Sequence, residues 1–313
     1  MLTHSALARL SVLVVGALNM DHILCADQQP EDDGSTWLSS VTDSVGGHAG
    51  NCATAVARLG ARVSVLGAAG QDGDGEAIVE SLRAVGVSVR HVRRVAGPSG
   101  RAFIPVFRDR RFMLLDRAAN DMLGPADLVD ARPFAYDAVV VFDPPKAVLD
   151  QLQALRAETR SPALLCWTPG GQYASTACRP FALDTFDLIL ANRSEYRQMF
   201  GSGPPDRREI RAGQEIAMTL GACGSRLYSA QQTVEMPALP VDTEDSTGAG
   251  DAFCAALTLA RLAGEPPAGR LAFANVVGAL ATCGRGARGS LPTLDEAVAG
   301  WRRYGHTENE PVP

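Results

Sequence analysis

The sequence predicts an α/β protein with a mainly parallel central sheet flanked by helices. Short, continuous apolar runs at residues 11–16 and 138–142 end at a glycine and at an acidic turn, which is typical of buried parallel strands. Helical patterns alternate with such runs through most of the chain. Since neither an internal repeat nor a linker interrupts them, we predict a single domain spanning residues 1–313.

The other elements continue this alternation along the chain. Residues 101–115 alternate in polarity around a turn at residues 109–110, which predicts a hairpin. The tail from residue 305 is polar and is expected to fray. Further strands are predicted at residues 62–67, 163–167, 187–191, 217–220 and 226–229. Helices are predicted at residues 51–59, 76–85, 146–158, 252–260 and 270–283, the last being the final helix.

Composition and charge exclude several classes of partner. The chain has 29 Lys and Arg against 35 Asp and Glu, a net charge of −6, so no basic face for nucleic acid is implied. Its apolar runs are far shorter than the ~20 residues of a membrane helix. Seven scattered cysteines without a C-x-x-C pair indicate reduced thiols, hence a cytoplasmic protein without a zinc site.

The stretch at residues 245–251 carries the most specific chemistry. Gly248 and Gly250 bracket an alanine, and the carboxylate of Asp251 opens the predicted helix 252–260. Free N–H groups and the dipole at a helix N-terminus bind anions, and a nearby carboxylate can accept a hydroxyl proton. The stretch therefore suits phosphoryl transfer to a hydroxyl. A purely structural role for the glycines and Asp251 remains the alternative.

Polar residues follow two predicted strands at their carboxyl ends, where open α/β sheets bind ligands. Asn19 and Asp21 have the same parity, so both side chains face the same way and suit the hydroxyls of a sugar. Asp143 follows residues 138–142 in the same manner. Turn formation remains the alternative for all three residues.

The segment Asp-Ser-Thr-Gly-Ala-Gly-Asp resembles the D-T-T-G-A-G-D signature of the ribokinase (PfkB) family of carbohydrate and nucleoside kinases, and only Ser246 departs from it. This resemblance covers about residues 11–298 and implies a ribokinase-like fold. It also implies that Asp251 is the catalytic base and that the amides of Gly248, Ala249 and Gly250 form the anion hole. The implied activity is ATP-dependent phosphorylation of a primary hydroxyl of a sugar.

The same resemblance assigns the acceptor site. N-x-D after the first strand is similar to the family's sugar-binding pair, and G-G-x-x-x-N is similar to its N-terminal signature. Family members usually have Lys after the glycine pair, whereas this chain has His48, which bears on the substrate. The implied sugar-binding residues are Asn19, Asp21, Gly46, Gly47, Asn51 and Asp143.

The resemblance also implies the nucleotide and cation sites. Asn192 and Glu195 match an N-x-x-E motif linked to Mg²⁺ and the phosphates of ATP. The nucleotide is expected at a turn and a helix residue, namely Thr219, Gly221, Gly224 and Asn275. A K⁺ ion is expected among carbonyls and the first signature aspartate, at Asp245, Thr247, Ala281, Gly284, Gly286 and Ser290.

A small β-sheet formed by residues of about 24–44 and 101–116 is the expected lid over the sugar. In the family such a lid is often a dimer surface, so a homodimer through the lid is expected.

Other functions were weighed against a sugar kinase. A nucleoside kinase stays open, because the same glycine motif occurs in that branch and His48 or Phe103 can stack on a base. A phosphosugar kinase needs a cationic cluster, for which the candidates are Arg101, Arg108, Arg110 and Arg111. A dinucleotide dehydrogenase is disfavoured because no G-x-G-x-x-G follows the first strand. A non-catalytic sugar sensor is disfavoured because Asp251 and both glycines are present.

Overall fold

The computed structural model describes residues 2–108 and 110–307. Within these ranges the strands form a large sheet in the order β13-β12-β11-β10-β9-β8-β1-β4-β5 and a small sheet in the order β3-β2-β6-β7. The strands are β1 Ser11–Val15, β2 Asn19–Ala26, β3 Leu38–Gly46, β4 Arg62–Gly70, β5 Ser88–Val95, β6 Gly100–Val106, β7 Leu114–Asp116, β8 Ala138–Val141, β9 Leu164–Trp167, β10 Leu188–Asn192, β11 Glu215–Thr219, β12 Ser225–Ser229 and β13 Thr233–Met236.

Helices connect most of these strands. They are α1 His4–Leu7, α2 His48–Arg58, α3 Gly73–Ala84, α4 Pro125–Ala131, α5 Lys146–Glu158, α6 Gly170–Tyr173, α7 Arg179–Thr185, α8 Arg193–Phe200, α9 Ala249–Leu262, α10 Pro267–Leu280 and α11 Leu294–Thr307. Among the described residues, no helix has the length and apolar character needed to cross a lipid bilayer.

The large sheet is parallel from β5 through β11, whereas β12 pairs antiparallel with β11 and β13 pairs antiparallel with β12. Strand β1 lies inside it and is covered on both faces. Val12 and Val14 belong to the same hydrophobic cluster as residues of α2, α9 and α10, whereas Leu13 and Val15 belong to a second cluster with residues of α4, α5, α7 and α8. Alternate residues thus face two hydrophobic layers, which explains why the strand is apolar throughout. The predicted α/β fold is confirmed.

Helix α9 crosses the centre of one layer. It begins after Gly248, whose φ of 77° lies in the left-handed region that glycine adopts without strain. Every residue from 251 to 260 is buried. Because α9 packs on α2 and α10, the start of α9 is held at the same edge of the sheet as the start of α2.

The small sheet, called the lid below, is formed by the segments predicted for the lid, and it extends further than predicted. It begins at Asn19, five residues before the expected boundary, because β2 runs parallel to β6 from Asn19↔Gly100 onwards. Strand β3 pairs antiparallel with β2, and β7 pairs antiparallel with β6. Of the predicted hairpin turn at residues 109–110, residue 109 lies outside the described residues.

Several predicted elements differ from the structure. The predicted helix 51–59 begins at His48, because Gly47 adopts a positive φ of 83° and starts the helix earlier. The helix predicted as the last one is α10, and α11 follows it. Two edge strands, β5 and β13, were not predicted, because β5 carries Arg90, Arg93 and Arg94 and the four residues of β13 are not buried.

Candidate active site

Asp251 lies in the first turn of α9 and is 5% exposed. Two side chains of α2 reach it, one from the first residue of that helix and one from the next turn. His48 Nδ1 lies 2.9 Å from Asp251 Oδ1, and Asn51 Nδ2 donates to Asp251 Oδ2 at 2.9 Å. Residues three apart on a helix share a face, which explains how α2 supplies both groups. Asp251 pulls the pKa of His48 up to about 10, so this ring is an imidazolium at neutral pH.

Backbone N–H groups lie beside this carboxylate. Within the described residues, no acceptor receives a hydrogen bond from the N–H of Gly250 or of Asp251, whereas Ala249 N donates to Ser246 O at 3.3 Å. A side chain placed on Gly250 would meet nothing within 4 Å. Two amides at the positive end of α9 therefore face open space, which suits an anion. They are those of Gly250 and Asp251; the amide of Gly248 likewise has no acceptor among the described residues, whereas the amide of Ala249 is engaged.

A cleft opens above these amides. It is open to solvent, and the space between its walls, part of that solvent included, is about 490 Å³. Its walls come from the ends of β8, β10 and β11 and from the starts of α2, α8 and α9. They include His48, Asp143, Asn192, Glu195, Thr219 and Gly250, with Asp251.

Asp21 and Asn19 lie on the same face of β2, as predicted. Asp21 is 9% exposed, and among the described residues no donor forms a hydrogen bond with its carboxylate. Burial raises the pKa of Asp21 to about 6, against the opposing effect of Arg288 and His48. Asn19 Oδ1 accepts a hydrogen bond from Asn120 Nδ2 at 2.8 Å, which leaves the Asn19 amide NH₂ as its donor toward a ligand.

Other predicted acceptor residues already have structural partners. Asp143 Oδ1 accepts from Ala17 N at 3.2 Å, and its other oxygen lies 3.5 Å from Arg117. Gly46 and Gly47 end β3 and start α2. Asp143 thus joins the carboxyl ends of β8 and β1 while it lines the cleft.

The predicted nucleotide residues fall into two groups. Asn192 and Glu195 cap α8 reciprocally: Asn192 Oδ1 accepts from Glu195 N at 3.0 Å, and Glu195 Oε2 accepts from Asn192 N at 2.9 Å. Burial also raises the pKa of Glu195. Thr219 ends β11 at the cleft, and Gly221 and Gly224 frame the 3₁₀ turn that follows.

Asn275 has a different role from the others. It lies in α10, and its Nδ2 donates to Met236 O at 3.1 Å and to Pro237 O at 2.8 Å. These bonds tie α10 to the end of β13. The residue does not line the cleft that contains Asp251.

Two of the predicted cation residues, Thr247 and Gly286, contact Asp245. Its Oδ1 accepts from Thr247 Oγ1 at 2.6 Å, and its Oδ2 accepts from Gly286 N at 2.9 Å. Arg111 of the lid also reaches this group, with Nη1 3.3 Å from Asp245 Oδ1 and Nη2 2.6 Å from Thr247 Oγ1. In the part of the chain that is described, no cluster of three or more His, Cys, Asp or Glu residues is arranged to hold a metal ion.

The rest of the cation loop lies close by. Ala281 is buried, and a Cβ on Gly284 would lie 2.0 Å from Ser290 Oγ. The loop is therefore packed on itself, with Gly286 as its contact to Asp245.

Sequence reasoning missed Arg288 and Asn120, and it expected Arg111 as a phosphate-binding candidate rather than as a partner of Asp245. Arg288 reaches Asn51, Arg111 reaches Asp245, and Asn120 holds Asn19. His48 had been singled out as a departure and as a base-stacking group. It stacks on Phe142 at 5.7 Å between ring centroids.

The predicted base-stacking and phosphate-binding groups of the lid are engaged elsewhere. Phe103 stacks on His22 at 5.2 Å between ring centroids, on the face of the lid opposite Asp21 by strand alternation. Arg101 pairs with Asp72 and Asp74, and Arg111 pairs with Asp245. Neither observation favours a base or a second phosphate at the lid.

Comparison with known proteins adds independent information. The family model described as "pfkB family carbohydrate kinase" matches residues 9–294. The chain is 30% identical over 294 residues to the ribokinase of Bacillus subtilis, an alignment that covers 91% of this chain and 97% of that protein. It is 26% identical over 311 residues to the nucleoside kinase of Methanothermobacter thermautotrophicus, covering 92% and 94%. The structure of Arabidopsis thaliana ribokinase complexed with ribose and ATP superposes with a TM-score of 0.80 at 23% identity, covering 93% of this chain and 98% of that one.

Proposed function

The chain belongs to the pfkB family of carbohydrate kinases, and we propose that it transfers the γ-phosphoryl group of ATP to a primary hydroxyl of a sugar. It is an ATP-dependent sugar or nucleoside kinase of the ribokinase family. The acceptor and the roles of individual residues are our proposal.

One observation carries this proposal: the carboxylate of Asp251 lies beside two free amides at the positive end of α9. Asp251 accepts the proton of the acceptor hydroxyl. At the same time the hydroxyl oxygen bonds to the γ-phosphorus, and the bond between the γ-phosphorus and the leaving oxygen of ADP breaks. The amides of Gly250 and Asp251, with Gly248 and Ala249 shaping the turn, stabilise the negative charge on the transferring group. Both oxygens of Asp251 accept one hydrogen bond, and each keeps a second lone pair for the proton.

The lid supplies the acceptor site in this proposal. Asp21 and Asn19 bind neighbouring hydroxyls, because the Asp21 carboxylate is buried with no donor from the described chain and Asn19 has a free amide NH₂. Gly46 and Gly47 bring backbone close to the sugar, and Asp143 forms the opposite wall. Asn51 contributes by holding Asp251.

ATP lies along the ends of β10 and β11, near Thr219, Gly221 and Gly224, and Asn275 supports that wall. Mg²⁺ prefers oxygen ligands and keeps few protein contacts when phosphates bind it. The oxygen-bearing Asn192 and Glu195 on the cleft fit that requirement. When bound, Mg²⁺ neutralises charge on the phosphates.

We assign three further properties. A K⁺ ion at Asp245, Thr247 and the loop with Ala281, Gly284, Gly286 and Ser290 stays a prediction, and Arg111 competes with it for Asp245.

A homodimer through the lid is supported by the exposed apolar side chains on and beside the edge strands β3 and β7. These are Trp37, Leu38, Val41, Met113, Leu114 and Leu115. A cytoplasmic location is supported by the seven free cysteines.

The test is ADP formation from ATP with ribose, fructose, inosine and ribose 1-phosphate as acceptors, with mass spectrometry of the products. We expect a neutral sugar to give the highest kcat/KM. Turnover of inosine alone would make the chain a nucleoside kinase, and preference for ribose 1-phosphate would make it a phosphosugar kinase. If none of these acceptors raises ADP formation above background, the proposed kinase activity toward these compounds is contradicted.

A further inference from the structure

Arg288 lies in the loop between α10 and α11 and joins three other parts of the fold. Its Nε donates to Asn51 Oδ1 at 3.1 Å, its Nη1 to Ser81 Oγ at 3.1 Å and its Nη2 to Gly46 O at 2.9 Å. One guanidinium thus contacts α2, α3 and the last residue of the lid strand β3. A planar guanidinium presents its donors in a fixed fork, so the three acceptors hold each other in register.

The bond to Asn51 determines which way its amide points. Arginine has only donors, so the oxygen of Asn51 must face Arg288 and its NH₂ must face away from it. The NH₂ then meets Asp251 Oδ2 at 2.9 Å. In the flipped orientation, two acceptors would face each other at Asp251 and two donors would face each other at Arg288. The guanidinium therefore ensures that Asn51 presents its NH₂ group, a hydrogen-bond donor, to Asp251.

The surrounding residues leave room for this arrangement. A Cβ on Gly50 would lie 2.1 Å from Arg288 Nη2, and a Cβ on Gly46 would lie 2.1 Å from Asp21 Oδ2. The two glycines thus admit the guanidinium and the Asp21 carboxylate side by side. Burial lowers the pKa of Arg288 to about 10, while Asp21 and Asp251 oppose this effect, so the side chain is charged at neutral pH. Its charge in turn lowers the pKa of Asp21.

We propose that Arg288 is a positioning residue for Asp251: it orients the Asn51 amide that holds the carboxylate and fixes the end of lid strand β3 on the same guanidinium, a role that rests on the proposed kinase function. Arg288 does not touch the reacting atoms. Its loss frees the Asn51 amide to rotate, and misplacement of a catalytic group by about 1 Å costs up to ~100-fold in rate. The effect is therefore expected in kcat more than in the KM for ATP.

The test is a double-mutant cycle on the full chain, with ribose or the better acceptor from the panel above. We expect Arg288→Gln and Asn51→Ala each to lower kcat about 10–100-fold, with the KM for ATP changed less than about threefold. If Arg288 acts through Asn51, the double variant is no slower than Asn51→Ala. Multiplicative effects of the two substitutions would contradict the proposal.

Two further variants exclude simpler explanations. Arg288→Lys keeps the charge but lacks the fork, so kcat stays low; recovery of wild-type kcat would show that charge alone matters and overturn the proposal. Arg285→Gln, an exposed arginine of the same loop, is the matched control and is expected to keep wild-type kcat. If Arg288→Gln fails to fold, Arg288→Lys takes its place in the cycle.

A pH readout separates positioning from a merely structural role. Because Arg288 lowers the pKa of Asp21, removal of Arg288 raises that pKa. As the pH falls, the KM for the acceptor then begins to rise at a higher pH than in the wild type. If the pH dependence of the KM for the acceptor is the same in Arg288→Gln as in the wild type, the influence of Arg288 on the acceptor site is contradicted. Asp251→Asn separates a failure of the proposed function from a failure of the positioning role. If Asp251→Asn stays active, the assignment of Asp251 as the catalytic base fails. If Asp251→Asn is inactive and the effects in the double-mutant cycle multiply, only the positioning role of Arg288 fails.

Discussion

His48 and Asp251 face each other in the lining of the cleft, with Nδ1 and Oδ1 2.9 Å apart. The imidazole ring lies flat on Phe142, at an interplanar angle of 10°, so it is held in one orientation. Since Asp251 keeps the ring charged at neutral pH, a cation stands next to the free amides of α9. In the proposed reaction, the proton acceptor Asp251 therefore lies beside a cation that attracts phosphate.

This pair predicts a pH-dependent contribution to stability. The pKa of His48 rises from 6.5 to about 10 on folding, so its stabilisation is complete below pH 6.5 and is lost as the pH rises through about 10. We expect the difference in free energy of unfolding between wild type and His48→Gln to shrink between pH 6.5 and 10 in urea titrations. A difference that stays constant over this range would show that the ion pair contributes nothing.

Asp21 predicts a pH-dependent affinity for the acceptor. Its pKa of about 6 means that the carboxylate becomes protonated below that pH and accepts hydrogen bonds less well. The KM for the sugar should therefore rise as the pH falls through 6. Asp21→Asn should cost about 1–3 kcal/mol of binding and remove the pH dependence, with the KM for ATP unchanged. Equal effects on both substrates would make Asp21 structural.

Arg111 predicts how the chain responds to K⁺. Its guanidinium binds Asp245 and Thr247 and so competes with a cation at this loop. We expect a higher kcat in K⁺ than in Na⁺ or tetramethylammonium buffers. The ratio of kcat in K⁺ to kcat in Na⁺ should be larger in Arg111→Ala than in the wild type. Arg108→Ala, an exposed arginine of the same hairpin, is the control. Identical rates in all three buffers for every variant would remove the K⁺ site.

The lid predicts the oligomeric state. Leu115, on edge strand β7, is 63% exposed, and Trp37, next to edge strand β3, is 93% exposed, and a second copy would cover them. We expect a dimer in sedimentation velocity that Leu115→Asp converts to a monomer. Val129→Asp, on the exposed surface of α4, should stay dimeric. A monomeric wild type would contradict the lid interface.

The parts of the site that sequence could predict are local ones. The turn at Gly248 and the helix behind Asp251 follow from neighbouring residues, and β1 follows from its apolar run. Arg288 and Asn51 are 237 residues apart, and no pattern in either segment links them. Strand β5 carries arginines on its exposed positions, so it lacked the apolar run that indicates a buried strand.

Two capping boxes mark helix starts in the sequence. Thr293 and Glu296 cap α11 reciprocally, with Thr293 N donating to Glu296 Oε2 at 2.7 Å and Glu296 N donating to Thr293 Oγ1 at 3.3 Å. T-x-x-E before an apolar pattern is a helix-start signal, and it would have predicted the missed last helix. The N-x-x-E pair of Asn192 and Glu195 has the same local geometry, so its spacing alone did not require a nucleotide.

The central claim is that Asp251 is the general base, and Asp251→Asn tests it most directly. The substitution keeps the shape of the side chain and removes the proton acceptor. Asp150→Asn, an exposed carboxylate paired with Lys146 on α5, is the control. We expect kcat to fall by about 10²–10⁴-fold while calorimetry shows ATP affinity within about threefold of wild type. Near wild-type turnover in Asp251→Asn, with ATP still bound, would contradict the assignment.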